Sequence, residues 1–397
     1  MKFHYKPLAK IGAATLTLAS VLVISSSGSV ASASKKGTTY NIASIVPLST
    51  AAAPYGVLAE KLDNLALANI KKNHTISGSI KNYYYDSQAL PAPAVTAAEQ
   101  AISIHHVSAM QVLFTSPVSA VVPIASRDKV LEINPGATGP SLYNLSPYLL
   151  SVLPLGNQQI DAFAPFAVKT EGYTRWVVLY TEEPLGMGLE KAINTDVPKA
   201  GGTVLADVQV SPTATDYSSQ VSQIAAAIGS SSKNTMVYLA TSGDVSGNNQ
   251  KIMDQLVADG VNVEYGGFAD SVTPALQADP NAGSYQYTAP LVNLQDNNAV
   301  TKQFISTLTA KYPTQLNELE SFTSVYNNML LIGDGIHHLQ LKKRPVTGQN
   351  LIEALRSMGT IQVVGGAWKV EKTGTVSEKV EVEQLQTGGA SKPISVP

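Results

Sequence analysis

A chain of 397 residues with 44% apolar side chains exceeds the usual size of one domain and can bury two cores. Only 14% of residues are charged and the formal net charge is −2, with basic clusters no longer than Lys71–Lys72 or Lys342–Arg344, which excludes a nucleic-acid interface. Cysteine is absent, and with it disulfides, thiolate metal sites, cysteine nucleophiles and a cysteine to lipidate.

The N-terminus reads as a targeting segment. Lys2, Lys6 and Lys10 precede an uncharged, mostly apolar run over Ile11–Ile24, and small residues follow at Ala31-Ser32-Ala33. That order predicts a secretory signal peptide over residues 1–33, because the apolar run is short for a bilayer span of about 20 residues. An uncleaved N-terminal anchor is the alternative. The cleaved chain is expected in the periplasm or outside the cell, without a cysteine-linked lipid.

Beyond residue 37 short β-branched runs alternate with helical periodicity. Tyr40–Val46 predicts a buried strand, and Leu58, Leu62, Leu65 and Ala66 share one face of the helix after it. Ile80–Tyr85 predicts a strand, and Val95, Ala98 and Ile102 a helix entered at Pro93; Gln111–Phe114 and Val130–Ile133 are short strands. The rhythm restarts after Pro154. Arg175–Tyr180, Thr203–Val210, Thr235–Leu239 and Val261–Tyr265 predict strands, separated by helices over Leu185–Ile193, from a cap at Asp216, and over Gln250–Ala258. Helices then dominate at Val300–Lys311, Ser324–Leu341 and Gly348–Met358, before β-like alternation at Ala367–Val370 and Val380–Leu385. The fold class expected is α/β, with two doubly wound parallel-sheet lobes. Residues 387–397, polar and Pro-containing, are expected to be a disordered tail.

The chain lacks the G-x-S-x-G, G-x-x-x-x-G-K-[ST] and H-E-x-x-H motifs, so no catalytic residue, metal ligand or cofactor is assigned. Gly186-Met187-Gly188 lacks the third glycine of a dinucleotide loop and is read as close helix packing. His105-His106 and His337-His338 are adjacent, and neighbours on a helix diverge by about 100°, so they are read as surface residues, not metal clamps. Ligands of open α/β sheets sit at the carboxyl ends of strands. Thr115-Ser116 and Asn134–Thr138 follow predicted strands there, with hydroxyls and backbone N–H groups suited to an anion. Ordinary helix caps and turns are the alternative. Tyr83-Tyr84-Tyr85 is read as packing, and Glu182-Glu183 as a favourable helix start. Asp270 is open to two readings, facing a ligand cation or capping a helix.

In order and spacing these segments resemble the branched-chain amino-acid (Leu/Ile/Val) type of periplasmic binding protein, the periplasmic binding protein type 1 fold. The resemblance rests on Ile45-Val46-Pro47-Leu48-Ser49 with Tyr55-Gly56, Tyr85-Asp86-Ser87-Gln88, Asn134-Pro135-Gly136-Ala137-Thr138, Val177–Tyr180 with Gly186, Lys199–Gly202, Thr215–Ser218, the helix from Tyr326 and Gly365-Gly366. It implies a three-crossover hinge near residues 156–160, 285–290 and 358–362. It also implies one lobe over 38–157 and 288–360 and a second over 158–287 and 361–386. Carried over by position, Thr115, Ser116, Gly136, Ala137 and Thr138 hold a ligand carboxylate, with Tyr55 beside them. Leu185 and Ser242 (with Thr241) stand where the family places aromatics, and Asp270 lies two places from the position of its ammonium partner. The resemblance thus implies a monomeric, non-enzymatic protein that captures a carboxylate, amino acid or aromatic acid for an ABC permease, and the departures at Thr241, Ser242 and Asp270 lead to the expectation that the ammonium is dispensable. A ligand-sensing receptor of the same fold and a secreted hydrolase are the alternatives.

Overall fold

The computed structural model describes residues 37–211, 214–241 and 248–396; the side chains of residues 248, 270, 274, 317 and 318 lie outside that description, as does the expected signal peptide over 1–33. The described chain opens with β1 (Thr39–Val46), α1 (Ala53–Lys72), β2 (Ser79–Asp86), α2 (Pro91–His105), β3 (Ala109–Val112), α3 (Thr115–Asp128), β4 (Leu131–Asn134) and β5 (Leu149–Ser151). α4 (Gly156–Pro165) then leads to β6 (Arg175–Thr181), α5 (Pro184–Ala200), β7 (Thr203–Val210), α6 (Ser218–Ile228), β8 (Thr235–Ala240), α7 (Asn248–Ala258), β9 (Glu264–Phe268), α8 (Pro274–Ala278) and β10 (Gln286–Pro290). The last part comprises α9 (Ala299–Lys311), α10 (Leu316–Glu320), α11 (Thr323–Leu341), α12 (Gly348–Ser357), β11 (Thr360–Val363), β12 (Gly366–Lys369), β13 (Val380–Leu385) and β14 (Ser391–Ser395).

Two sheets form. The first has the order β2-β1-β3-β4-β5 and is parallel throughout. The second has the order β14-β13-β10-β9-β8-β6-β7, with β13 and β14 antiparallel to their neighbours. β3, β4 and β8 are buried along their whole length, as strands covered by helices on both faces must be. Apolar residues of α1, α11 and α12 form one core on the first sheet, and those of α2 and α3 form another on its opposite face. On the second sheet α6 and α7 cover one face, and α4 and α5 the other. Each lobe is therefore doubly wound.

The late helices belong to the first lobe for a stated reason: polar side chains bolt α11 to it. Tyr326 Oη accepts from Asn69 Nδ2 at 2.8 Å, and Asn328 Nδ2 donates to Gln111 Oε1 on β3 at 2.7 Å. Asn327 clasps both backbone polar groups of Val364, receiving its N–H at 2.8 Å and donating to its carbonyl at 3.2 Å. The turn that follows requires glycine, because Gly365 has φ +84° and a Cβ there would lie 2.6 Å from Val292.

Four expectations need correction. β10 pairs with β9 as far as Thr288 and with β13 as far as Pro290, so the second crossover follows residue 290 and does not occupy 285–290. Ile361, Val363, Trp368 and Val376 are buried in the first lobe's core, so the third crossover comes just before β13, not at 358–362. The stretch read as a disordered tail contains β14, paired with β13 from Leu385↔Ser391 to Val382↔Ser395. Pro393 is compatible with strand there because β14 is the edge, where a missing N–H faces no partner. Val261–Tyr265 is also displaced in the structure, to β9 at Glu264–Phe268. Glycines at 266 and 267 hide the strand pattern; they are needed because Met236 Sδ and Tyr285 Oη occupy the space a Cβ would fill.

Candidate ligand cleft

The carboxyl ends of β3 and β4 carry two loops that are locked together. Asn134, buried at the end of β4, receives the N–H groups of Gly136 (3.2 Å) and Ala137 (2.6 Å) on Oδ1, and its Nδ2 donates to the Ala137 carbonyl (2.7 Å) and Ser151 Oγ (3.1 Å). One side-chain amide thus closes the whole turn, an Asx geometry. The neighbouring loop joins it through Thr115, whose Oγ1 accepts the Gly139 N–H at 3.2 Å. A Cβ on Gly139 would lie 2.2 Å from Thr115 Cγ2, which is why glycine stands there.

This geometry changes the sequence expectation. The N–H groups of Gly136 and Ala137 are spent on Asn134, so the candidate anion donors of this lobe are the hydroxyls of Thr115, Ser116 and Thr138 with the first turn of α3. Thr115 and Thr138 are buried and Ser116 half-buried; Ala137 is buried and Gly136 half-buried. The helix N-terminus adds a favourable field for negative charge.

Phe114 makes the turn from β3 into α3 at φ 71°, ψ 139°, a backbone conformation that costs a side-chain-bearing residue about 1–3 kcal/mol. Its ring meets Tyr55 edge-on, with centroids 5.5 Å apart, and Tyr55 in turn lies 6.0 Å from Phe322. A Cβ on Gly136 would come within 3.9 Å of Phe322 Cζ. Tyr55, Phe114 and Phe322, all half-buried, therefore form an aromatic collar beside the hydroxyl-bearing loops. Of these, sequence reasoning named only Tyr55. Phe322 carried a usable signal, since it immediately precedes α11.

The second lobe approaches at the start of α5. Gly188 sits against the Pro140 ring, where an added Cβ would be 2.9 Å from Cδ, and one on Gly156 would meet Leu189 at 2.6 Å and the Thr138 carbonyl at 3.1 Å. The glycines of Gly186-Met187-Gly188 thus serve close packing, as expected; Gly186 lies against the Thr181 backbone. Leu185 lies at the same helix start, buried within the second lobe's core. Thr241 is buried and donates to Asn249 Oδ1 at 2.7 Å. Ser242 and the side chain of Asp270 lie outside the described residues. The loops of the first lobe are thus brought together by the fold, whereas Leu185 is turned into core packing. A groove of about 1290 Å³ lies elsewhere, lined by Pro140 and Gly188 among others, and contains none of the predicted site residues.

Among the described residues no group of three or more His, Asp or Glu side chains is placed to hold a metal, and no helix is long and apolar enough to cross a membrane. His105 stacks on Tyr83 with centroids 3.6 Å apart.

The sequence model described as periplasmic binding protein matches residues 39–390. The chain belongs to that family. Among solved structures it is similar to a leucine-binding protein of Thermotoga maritima, at 19% identity and TM-score 0.77, covering 90% of this chain and 98% of that one. A solute-binding protein of an ABC transporter from R. palustris, in complex with benzoate, is similar at 16% identity and TM-score 0.73, covering 90% and 96%. A substrate-binding protein from Desulfitobacterium hafniense, complexed with Leu, is similar at 15% identity and TM-score 0.70, covering 90% and 99%. No curated protein matches. These likenesses establish the two-lobed periplasmic binding protein type 1 fold, in a family of extracytoplasmic solute-binding proteins.

Proposed function

We propose that this chain is the solute-binding component of an ABC importer, and that it captures a small carboxylate attached to an aromatic or other apolar body. The observation that carries this reading is the juxtaposition of the Thr115, Ser116 and Thr138 hydroxyls with the collar of Tyr55, Phe114 and Phe322. Hydroxyls and a helix N-terminus satisfy the carboxylate, and the rings bury the body. Contacts to both lobes favour the closed state, which a permease then recognises. The binding of benzoate by a relative of the same fold supports the aromatic side of this reading. Thr241, standing where an amino-acid binder has a tyrosine, is committed to Asn249. A free ammonium buried without a charge partner would cost several kcal/mol, and the reading is of a ligand that carries none. The reading is of binding without turnover, by a monomer.

Titration calorimetry with benzoate, 4-hydroxybenzoate and leucine tests this. The aromatic acids bind more tightly than leucine, and Thr138→Ala with Ser116→Ala weakens them by about 1–3 kcal/mol, roughly 5- to 150-fold in Kd. Tight binding of leucine that is indifferent to this double change overturns the assignment. Export is tested separately. The intact mass of protein recovered outside the cytoplasm corresponds to a chain starting at Ser34, and a mass retaining Met1 restores the anchor.

A further inference from the structure

Asp and Glu are almost never fully buried unless paired with a cation, and an uncompensated buried charge costs several kcal/mol. This chain breaks the pattern repeatedly. Glu132, in the interior of the first sheet, is fully buried and neither carboxyl oxygen has a hydrogen-bond partner. Asp63 is fully buried under the same sheet; its Oδ2 receives Ser44 Oγ (2.8 Å), Asn82 Nδ2 (3.2 Å) and Gln111 Nε2 (2.5 Å), all neutral, and its Oδ1 has no partner. Glu378, at the third crossover, has Oε2 sealed from solvent and unpartnered.

Other carboxyls sit in pairs. Glu190 and Asp207 accept from one amide nitrogen, Asn194 Nδ2, at 2.8 and 2.9 Å. Asp254 and Asp279 share Asn281, which donates its side-chain amide to the first at 2.9 Å and its backbone N–H to the second at 2.8 Å. Glu381 and Glu383 project from one face of β13. Two neighbouring carboxylates repel, and the repulsion vanishes when one is protonated.

Most of the groups facing these carboxyls are phenols and other acids. Tyr180 of β6 faces Glu190 and Asp207, and Tyr265 of β9 faces Asp254 and Asp279. Tyr287 of β10 donates to Glu383, and Tyr84 of β2 lies at Asp63 with Glu60 nearby. Glu132 is shifted by burial alone, as is Glu378; Arg356, Lys369 and Lys372 border the same groove as Glu378 without bonding to it. Asp334 is the exception, with His337 one turn away. The ion pairs found among the described residues, Arg127–Asp128, Lys199–Asp196 and Arg344–Glu353, lie elsewhere, on the surface.

We infer that this protein is built to work in an acidic medium, in which its buried and paired carboxyls carry protons and are held as neutral hydrogen-bonding groups. The electrostatics agree. Burial raises Asp63 from 3.8 to about 7, Asp334 to about 6 and Glu381 to about 7, the last helped by Glu383. Glu132 and Glu378 are pushed well above the usual range by burial, and Glu190 and Asp279 are raised by burial and by their acidic neighbours. A carboxyl whose pKa rises on folding confers stability that is complete below its unfolded value and is lost as pH climbs through its folded value. For Asp63 that window runs from 3.8 to about 7. Asp86, Asp216 and Glu353 act in the opposite sense, held down by hydrogen bonds. They are on the surface, where solvent screening reduces their weight.

Differential scanning calorimetry of the purified protein across about pH 3.5 to 8 tests the inference. Tm is highest at the acid end and lower by about 5–10 °C near pH 8. Asp63→Asn, which fixes the neutral form, raises Tm near pH 8 and leaves it unchanged near pH 4. The half-exposed Glu190→Gln flattens the curve in the same sense and keeps the test open should Asp63→Asn fail to fold. A Tm maximum at neutral pH, or a slope unaltered by all variants that fold, overturns the inference.

Discussion

Trp176→Ala lowers the stability of the protein by about 3–5 kcal/mol, the range for removing a large aromatic from a core that collapses only in part. Trp176 is fully buried on β6. Its ring stacks on Tyr238 with centroids 5.9 Å apart and meets Phe163 edge-on at 5.8 Å. Its Nε1 donates to the Tyr173 carbonyl at 2.7 Å, so truncation also leaves that acceptor without its donor. These three partners come from α4, β8 and the loop before β6, so one side chain joins much of the second lobe's inner layer. Urea denaturation followed by circular dichroism measures the change. Trp176→Phe, which retains part of the volume, loses less than half as much; equal losses in the two variants would show that packing is not the cause.

Asn134→Ala lowers both stability and ligand affinity. The substitution strands two backbone N–H groups and one carbonyl in a largely buried turn, and each orphaned group costs about 1–3 kcal/mol where water does not replace the partner. Partial relaxation brings the expected loss to about 2–4 kcal/mol. Because the same amide positions Thr138, benzoate binding weakens at least as much as in Thr138→Ala. Asn134→Asp separates the contributions: it keeps the acceptor for Gly136 and Ala137 and loses the donor to Ala137 and Ser151. Thermal unfolding and calorimetric Kd on all three variants check this. An Asn134→Ala protein with native affinity would remove the turn from the site.

The alternation of strands and helices was legible because parallel strands covered on both faces read as continuous apolar runs, and helices read as one-sided ones. Tyr40–Val46, Arg175–Tyr180 and Thr235–Leu239 are of the first kind, and the Leu58, Leu62, Leu65, Ala66 face is of the second. The helix start expected at Asp216 lies one residue on, with Tyr217 at the cap position, and the Asp216 carboxylate accepts the Ser218 N–H at 2.9 Å from just outside the helix. Strands that obey neither pattern were not legible. β10 ends in proline, β14 is a polar edge, and β9 contains two glycines whose necessity lies in Met236 and Tyr285.

Within the site, the loops were legible by position, since Thr115-Ser116 and Asn134–Thr138 follow strand ends and ligands gather there. Sequence by itself therefore determined the fold class and the family, and it singled out the hydroxyl-rich loops as candidates. Tertiary structure alone decided that Asn134 consumes the loop's N–H groups, and that Tyr55, Phe114 and Phe322 meet although they lie far apart in the chain. It also decided which carboxyls are buried or paired: composition counts 29 acidic residues, but Glu132 and Asp63 look no different in the sequence from any exposed acid. The physical reason is common to these cases. Periodicity records which face a segment buries, whereas the neighbour that face meets depends on the crossovers that bring distant segments together.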